Sequence, residues 1–235
     1  MEHIDKVNGT FDRRVAEPKT VVPVAVIKRL PRYHRYLGDL IREGRLRISS
    51  AELSKIMDVT ASQIRQDLNC FGGFGQQGYG YNIKYLYGKI SDLLGVNEGF
   101  KSVIVGAGNL GKALAASHMF ERRGVGRVAL FDVREDIVGT EVYGIPVYHV
   151  DDLYEFCQSV GVDIGVLTVP KESAYSVAET LASAGVSALW NYANMELKPP
   201  RPDVIVENIH LGDSLMTLCY ELKTAKDKKN KEDKG

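Results

Sequence analysis

The stretch that most constrains the fold is Lys101 to Gly111, KSVIVGAGNLG. A short apolar run, Val103 to Val105, ends in Gly106-Ala107-Gly108-Asn109-Leu110-Gly111, and the helix-prone segment KALAASHMFERR follows directly. Strand, glycine turn and helix in that order make a phosphate loop. Gly106 permits the tight turn, Gly108 lets the backbone approach a pyrophosphate, and Gly111 lets helix and strand pack closely. The pyrophosphate would rest on the free N–H groups at the helix N-terminus. A second buried strand, Val128 to Phe131, ends in Asp132, 21 positions after Gly111, with Val133 next to it. A carboxylate there accepts from both hydroxyls of an adenosine ribose and repels a 2′-phosphate. Three glycines alone are weak evidence, and Asp132 alone could be a strand-end turn residue. In register, they predict a dinucleotide site favouring NAD(H) over NADP(H), a preference that Arg134 nearby leaves slightly open.

The N-terminal part carries a different signal. Residues 1–90 hold 15 Lys and Arg against 9 Asp and Glu, whereas residues 91–235 hold 15 against 21, so the net charge of zero conceals a basic part on an acidic remainder. Only the first part is suited to a polyanion. No run approaches the length of a membrane span, and the mixed-charge start MEHIDKVNGTFDRRVAEPKT has no apolar core, so no membrane partner is expected. Cys70, Cys157 and Cys219 are scattered, without metal-ligand spacing. They read as small hydrophobes in a reducing cytoplasm, and no metal is expected.

Within the basic part, Met1 to Thr20 lacks periodicity and reads as a mobile arm. Pro23 to Leu30 opens a helix that continues around Pro31 through Tyr33, Tyr36, Leu37, Leu40 and Ile41 to Gly44, with Lys28, Arg29, Arg32 and Arg35 elsewhere on its surface. Two capping boxes follow, Ser49-Ser50-Ala51-Glu52 and Thr60-Ala61-Ser62-Gln63, which start short helices at about 50–57 and 61–69. Leu53, Ile56, Val59, Ile64 and Leu68 would form their shared core. This is a helix-turn-helix or, more plainly, a packing hairpin. As a DNA reader, its second helix would offer Ser62, Gln63, Arg65 and Gln66 to base edges, Arg to guanine and Gln to adenine. FGGFGQQGYGY, residues 71–81, alternates glycine with aromatic residues as a tight β-ribbon would, and Gln76, Gln77 and Tyr79 sit at its tip. DNA contacts are therefore expected from Lys28, Arg29, Arg32 and these helix and ribbon residues.

In the acidic part, Leu93 to Phe100 reads as a linker. Ile145 to Tyr148 is a short strand, Asp151 to Val160 a helix, Asp163 to Val169 a third buried strand, Ser187 to Trp190 a fourth and Val204 to Glu207 the last. Thr168, Val169 and Pro170, at a strand's carboxyl end, would line the ligand crevice. Asn191 and Tyr192 end the next strand and are either ligand contacts or turn residues. From about His210 to Lys223 a helix places Leu211, Leu215, Leu218 and Leu222 on one line, and Met216, Cys219 and Tyr220 widen the stripe beyond a surface helix's need. KTAKDKKNKEDKG is charged and reads as disordered.

ASQIRQDLNCFGGFGQQGYGYN at 61–82 and VGAGNLG at 105–111 together resemble the bacterial family of redox-sensing transcriptional repressors, Rex. The likeness spans about residues 24–222 and includes VPVAVIKRLPRYHRYL, RISSAELSKIM, TVP at 168–170 and VENIHLGDSLMTLCYEL. It implies an α/β chain in which a winged helix-turn-helix domain (24–92) follows the arm (1–23). A linker (93–100) leads to a Rossmann domain (101–207), then a C-terminal helix (208–223) exchanged between the protomers of a homodimer, then the tail (224–235). It also implies that NADH closes the dimer and releases a palindromic operator, that the nicotinamide lies near Thr168–Pro170 and Asn191–Ala193, and that neither coenzyme is turned over. Gln66, Gln76 and Gln77 stand where other members often have basic residues, His210 where they often have Asp, and Asn194 where they have Pro. An apolar pocket around Val169, Pro170 and the partner's Leu211 would penalise the cationic ring of NAD+ against the neutral ring of NADH. The competing expectation is an NAD-dependent oxidoreductase with an appended DNA-binding domain.

Overall fold

The computed structural model describes residues 22–70, 72, 75–76 and 80–232, with backbone alone at 75, 76, 231 and 232. The expectations for residues 1–21, for the ribbon tip with Gln77 and Tyr79, for the Gln76 side chain and for residues 233–235 lie outside the described residues. The chain divides into two units, Met1–Gly95 and Val96–Gly235, and the division falls inside the expected linker.

The first unit opens with α1 (Val24–Ile27) and α2 (Leu30–Arg42), with Pro31 in the first turn of α2, where its missing N–H is no loss. Gly44, at φ +75°, closes α2 with its N–H on the Ile41 carbonyl. After β1 (Arg47–Ile48) come α3 (Ser50–Met57) and α4 (Ala61–Asn69), at the expected positions. Ser49 and Glu52 form the full reciprocal box. Thr60 does not: its hydroxyl accepts from Gln63 N–H, but the Gln63 side chain turns instead to Asp67. Asp58, in the left-handed region at φ +51°, makes the turn between the helices. The core is also redistributed: Leu53, Ile64 and Leu68 are fully buried as expected, but Ile56 is 36% exposed. Met57 takes its place, because it lies four residues after Leu53 on the same face of α3. A small antiparallel sheet pairs β1 and β2 (Gly75–Gln76) with the central β3 (Gly80–Asn82). Helix α5 (Ile83–Leu93), not anticipated, packs on α2 through the buried Ile83, Leu86 and Ile90.

The second unit begins with β4 (Lys101–Val105) and α6 (Asn109–Ala116). The helix stops before His118, earlier than expected, because Ser117 is extended and the Arg127 guanidinium takes the Ala115 carbonyl. Then follow β5 (Gly126–Asp132), β6 (Glu141–Val142), β7 (Ile145–His149), α7 (Leu153–Val160), β8 (Ile164–Leu167), α8 (Lys171–Ser183, not anticipated), β9 (Ala188–Asn191), β10 (Ile205–Asn208) and α9 (Leu211–Glu232). The sheet order is β10-β9-β8-β4-β5-β7-β6, parallel except for β6. Chain order reverses between β4 and β8, which opens a crevice at their carboxyl ends, the switch point of a doubly wound fold. Helix α9 runs through Glu232, so residues 224–232 are helical rather than disordered. Extending a formed helix needs no new nucleus, and Lys, Ala and Glu are good helix formers. Residues 211–223 of α9 are all exposed, Leu211, Leu215, Leu218 and Leu222 each by more than half.

Candidate functional site

The crevice is built on the Gly106–Gly111 turn. Gly106 adopts φ +101°, and a Cβ there would come 2.6 Å from the Thr168 carbonyl oxygen. A Cβ on Gly111 would come 1.9 Å from the Gly106 carbonyl oxygen, so both positions are closed to any side chain. Gly108, in contrast, has nothing within 4 Å of where a Cβ would lie. It is the N-cap of α6, and no side chain caps that helix, so its first N–H groups face open space. That is the arrangement a pyrophosphate needs. Thr168 bolts the turn in place: its hydroxyl donates to the Gly106 carbonyl at 2.7 Å and stands 3.1 Å from that of Val105.

At the end of β5, Asp132 is 9% exposed and its Oδ2 accepts from Ala107 N–H at 2.7 Å. Its Oδ1 accepts from the Arg134 N–H at 3.0 Å and from Arg134 Nε at 3.1 Å. Burial works to raise the Asp132 pKa, but the bonds from the Arg134 side chain, its N–H and Ala107 N–H outweigh it and hold the carboxyl below its ordinary value. The group is an anion, as ribose recognition requires. A cleft of about 510 Å³ brings together Gly106, Gly108, Asp132, Val133, Thr168, Val169 and Pro170 from the expected set. Val105, Phe131, Arg134, Val150, Ser173 and Val177 complete its wall. Ser173 and Val177 come from α8, whose buried positions Ala174, Val177, Ala178 and Leu181 follow helical spacing but are half alanine, too weak a contrast to mark it in advance. Ala107 and Gly111 are buried beneath the loop, and Asn109 and Leu110 open α6.

Asn191 and Tyr192 are not among the residues lining this cleft. Asn191 is fully buried and internally committed: its Nδ2 donates to the Met195 carbonyl and to Asn208 Oδ1, and its Oδ1 accepts from Ala193 N–H. Tyr192 packs beside Trp190 with ring centroids 5.0 Å apart. His210 bonds Glu196 Oε2 at 2.9 Å, and Asn208 Nδ2 lies 3.3 Å from Glu196 Oε1, so the root of α9 is tied to the strand ends.

In the first unit, Ser62, Arg65 and Gln66 are exposed along α4. Arg65 Nη1 lies 3.1 Å from Ser50 Oγ, a contact between exposed groups. Lys28 is exposed and Arg32 sits over the Tyr36 ring. Two further residues expected at DNA, Gln63 and Arg29, have internal partners. Gln63 Nε2 donates to Asp67 Oδ1 at 2.8 Å, and Arg29 grips the same carboxylate with Nε and Nη2. Asp67 is fully buried on α4, and nothing in its local sequence distinguishes it from a solvated acid. Among the described residues no group of three or more His, Cys, Asp and Glu could hold a metal ion. No described helix is long and apolar enough to cross a membrane.

The chain matches the family model described as "CoA binding domain" over residues 97–195, and the one described as "Putative DNA-binding protein N-terminus" over residues 21–69. The redox-sensing transcriptional repressor Rex of Thermoanaerobacter sp. (strain X514) is 48% identical over 204 residues, 87% of this chain and 91% of the relative. The crystal structure of RSP, a Rex-family repressor, in complex with β-NAD+ and operator DNA is 47% identical with a TM-score of 0.83, covering 90% of this chain and 97% of that one. RSP in complex with β-NADH is 44% identical with a TM-score of 0.81, covering 90% and 99%. With its two units in the same order and its likeness running nearly the full length of these proteins, the chain belongs to the Rex family of redox-sensing transcriptional repressors.

Proposed function

We propose that this chain is a transcriptional repressor that binds operator DNA through the first unit and senses the NADH/NAD+ ratio through the second. One observation carries the reading: the same chain presents an exposed recognition helix and a crevice whose glycine turn and buried Asp132 suit a dinucleotide. Ser62, Arg65 and Gln66 would meet base edges, and Lys28 and Arg32 phosphates. The coenzymes act as effectors, and the repressor names of the relatives favour this over the oxidoreductase reading.

A ligand shifts an equilibrium only through unequal affinity for its two states. The crevice beyond the phosphate turn is walled by Val169, Pro170 and Val177. Placing the cationic ring of NAD+ there costs more than placing the neutral ring of NADH. The apolar stripe of α9 supports a homodimer in which this helix is exchanged between protomers, and NADH would close that dimer away from a palindromic site. The test is binding to palindromic duplexes, selected by the nucleotide-free protein, across NADH/NAD+ ratios at fixed total nucleotide. DNA is expected to be released as the ratio rises. Equal release by saturating NAD+ and NADH would overturn the reading.

A further inference from the structure

Asp132 is where an adenosine ribose would be read, yet its oxygens are already engaged. Oδ2 accepts from Ala107 N–H, and Oδ1 accepts from both the N–H and the Nε of Arg134. Arg134 Nη2 lies 3.5 Å from Oδ2 and donates to the Ala107 carbonyl at 3.0 Å. The guanidinium thus spans the ribose end of the crevice from the strand end to the phosphate turn. Each carboxylate oxygen offers about two lone-pair positions, so Oδ1 is saturated. A ribose diol can take both oxygens only after the guanidinium moves off. The Arg134 side chain is 47% exposed and has room to turn outward. It is also the basic residue among those lining the cleft. A 2′-phosphate that Asp132 alone would repel therefore meets a guanidinium whose fork matches phosphate geometry.

We propose that Arg134 lets this crevice accept a 2′-phosphorylated dinucleotide, NADPH, beside NADH, and sets the balance between the two. The inference rests on the dinucleotide reading above. With NADH the guanidinium is displaced and the diol takes the carboxylate. With NADPH it turns from Asp132 to the phosphate, which exchanges one charge-assisted pair for another.

The experiment is calorimetric titration of the full chain, wild type, Arg134→Ala and Arg134→Lys, with NADH and with NADPH at low salt. Wild type is expected to bind NADPH within about tenfold of NADH, a gap of roughly 1.4 kcal/mol. Arg134→Ala is expected to weaken NADPH by about tenfold or more, the scale of one lost charge-assisted contact, and to leave NADH unchanged or tighter. Arg134→Lys keeps the charge without the fork and should fall between. A purely structural role would move both ligands in the same direction. NADH binding to the wild type without NADPH binding, or equal weakening of both by Arg134→Ala, would overturn the inference and leave the dinucleotide reading standing. Binding of neither would remove both.

Discussion

Arg29 holds Asp67 with two parallel bonds, Nε to Oδ2 at 2.7 Å and Nη2 to Oδ1 at 2.6 Å, across 38 residues of chain. Tyr33 donates to Oδ2 at 2.9 Å and Gln63 to Oδ1 at 2.8 Å, so every side of a fully buried carboxylate is met. The pair fastens α4 to the N-cap of α2, which fixes how α4 sits within its unit. Removing one partner of a buried pair typically costs about 3 kcal/mol or more, because the other charge stays behind. Arg29→Ala is expected to lose that much in urea denaturation. A loss below about 1 kcal/mol would show that the pair is no better than an exposed one.

The same carboxylate makes stability depend on pH. Burial alone would raise its pKa, but the bonds from Arg29, Gln63 and Tyr33 hold it below the ordinary value. A folded-state pKa below the unfolded one means the contribution is present above the unfolded value, near 3.8, and is lost as pH falls through the folded one. Glu52 is also drawn down, to about 2, by the N–H and hydroxyl of Ser49 and by Arg45. Comparing wild type with Asp67→Asn isolates Asp67. Their unfolding free energies should run parallel above about pH 5 and converge below about pH 4.

Gly108 and Gly111 separate binding from folding. Gly111→Ala drives a methyl group into the Gly106 carbonyl, so its melting temperature should drop by several degrees, as a cost of about 1–3 kcal/mol implies. Gly108→Ala has open space and φ −73°, so its melting temperature should hold. Its NADH affinity should still fall by about tenfold, since the methyl group stands where backbone must approach the pyrophosphate. Unchanged NADH affinity in a folded Gly108→Ala protein would move the pyrophosphate elsewhere.

Arg65 provides the contrast to Arg29. It is exposed on α4. Arg65→Ala is expected to leave unfolding unchanged within about 0.5 kcal/mol. DNA affinity should fall by about 1–3 kcal/mol if Arg65 reads a base edge, with discrimination relaxed at one position of the site. A uniform loss across all sequences, with the salt slope shallower by about 1, would make it a phosphate contact instead.

Leu215 and Leu218 lie exposed near the middle of the apolar stripe of α9. Leu215→Lys in a homodimer built on this helix should shift sedimentation toward the monomer at micromolar concentration. An unchanged dimer would locate the interface elsewhere.

What the residues disclosed in advance was what depends on local spacing. The GAGNLG turn and the two short helices at 50–57 and 61–69 each rest on neighbours within a few positions, and Asp132 on a fixed spacing of 21 from Gly111. Asp67 escaped because its partners Arg29 and Tyr33 lie 38 and 34 residues away, and an acid in a polar helix normally faces water. Helix α8 escaped because its buried face is largely alanine, which gives little apolar contrast. Asn191 stood between a ligand contact, which the resemblance implied, and a strand-end turn residue; its amide bonds to Met195 and Asn208 could not be read in advance, because they join residues 4 and 17 positions away through the fold.

The hydroxyl of Thr168 joins the end of one central strand to the turn that leaves the other. A coenzyme arriving there finds the amide donors already aimed, and little of its affinity goes into ordering backbone. Its pyrophosphate would therefore be a poor messenger, because a turn already held by Thr168 has little reason to move when it binds. On the proposed reading, a signal that distinguishes the bound protein from the empty one would begin at the two ends of the ligand, where Arg134 would yield to the ribose and Val169, Pro170 and Val177 would receive the ring.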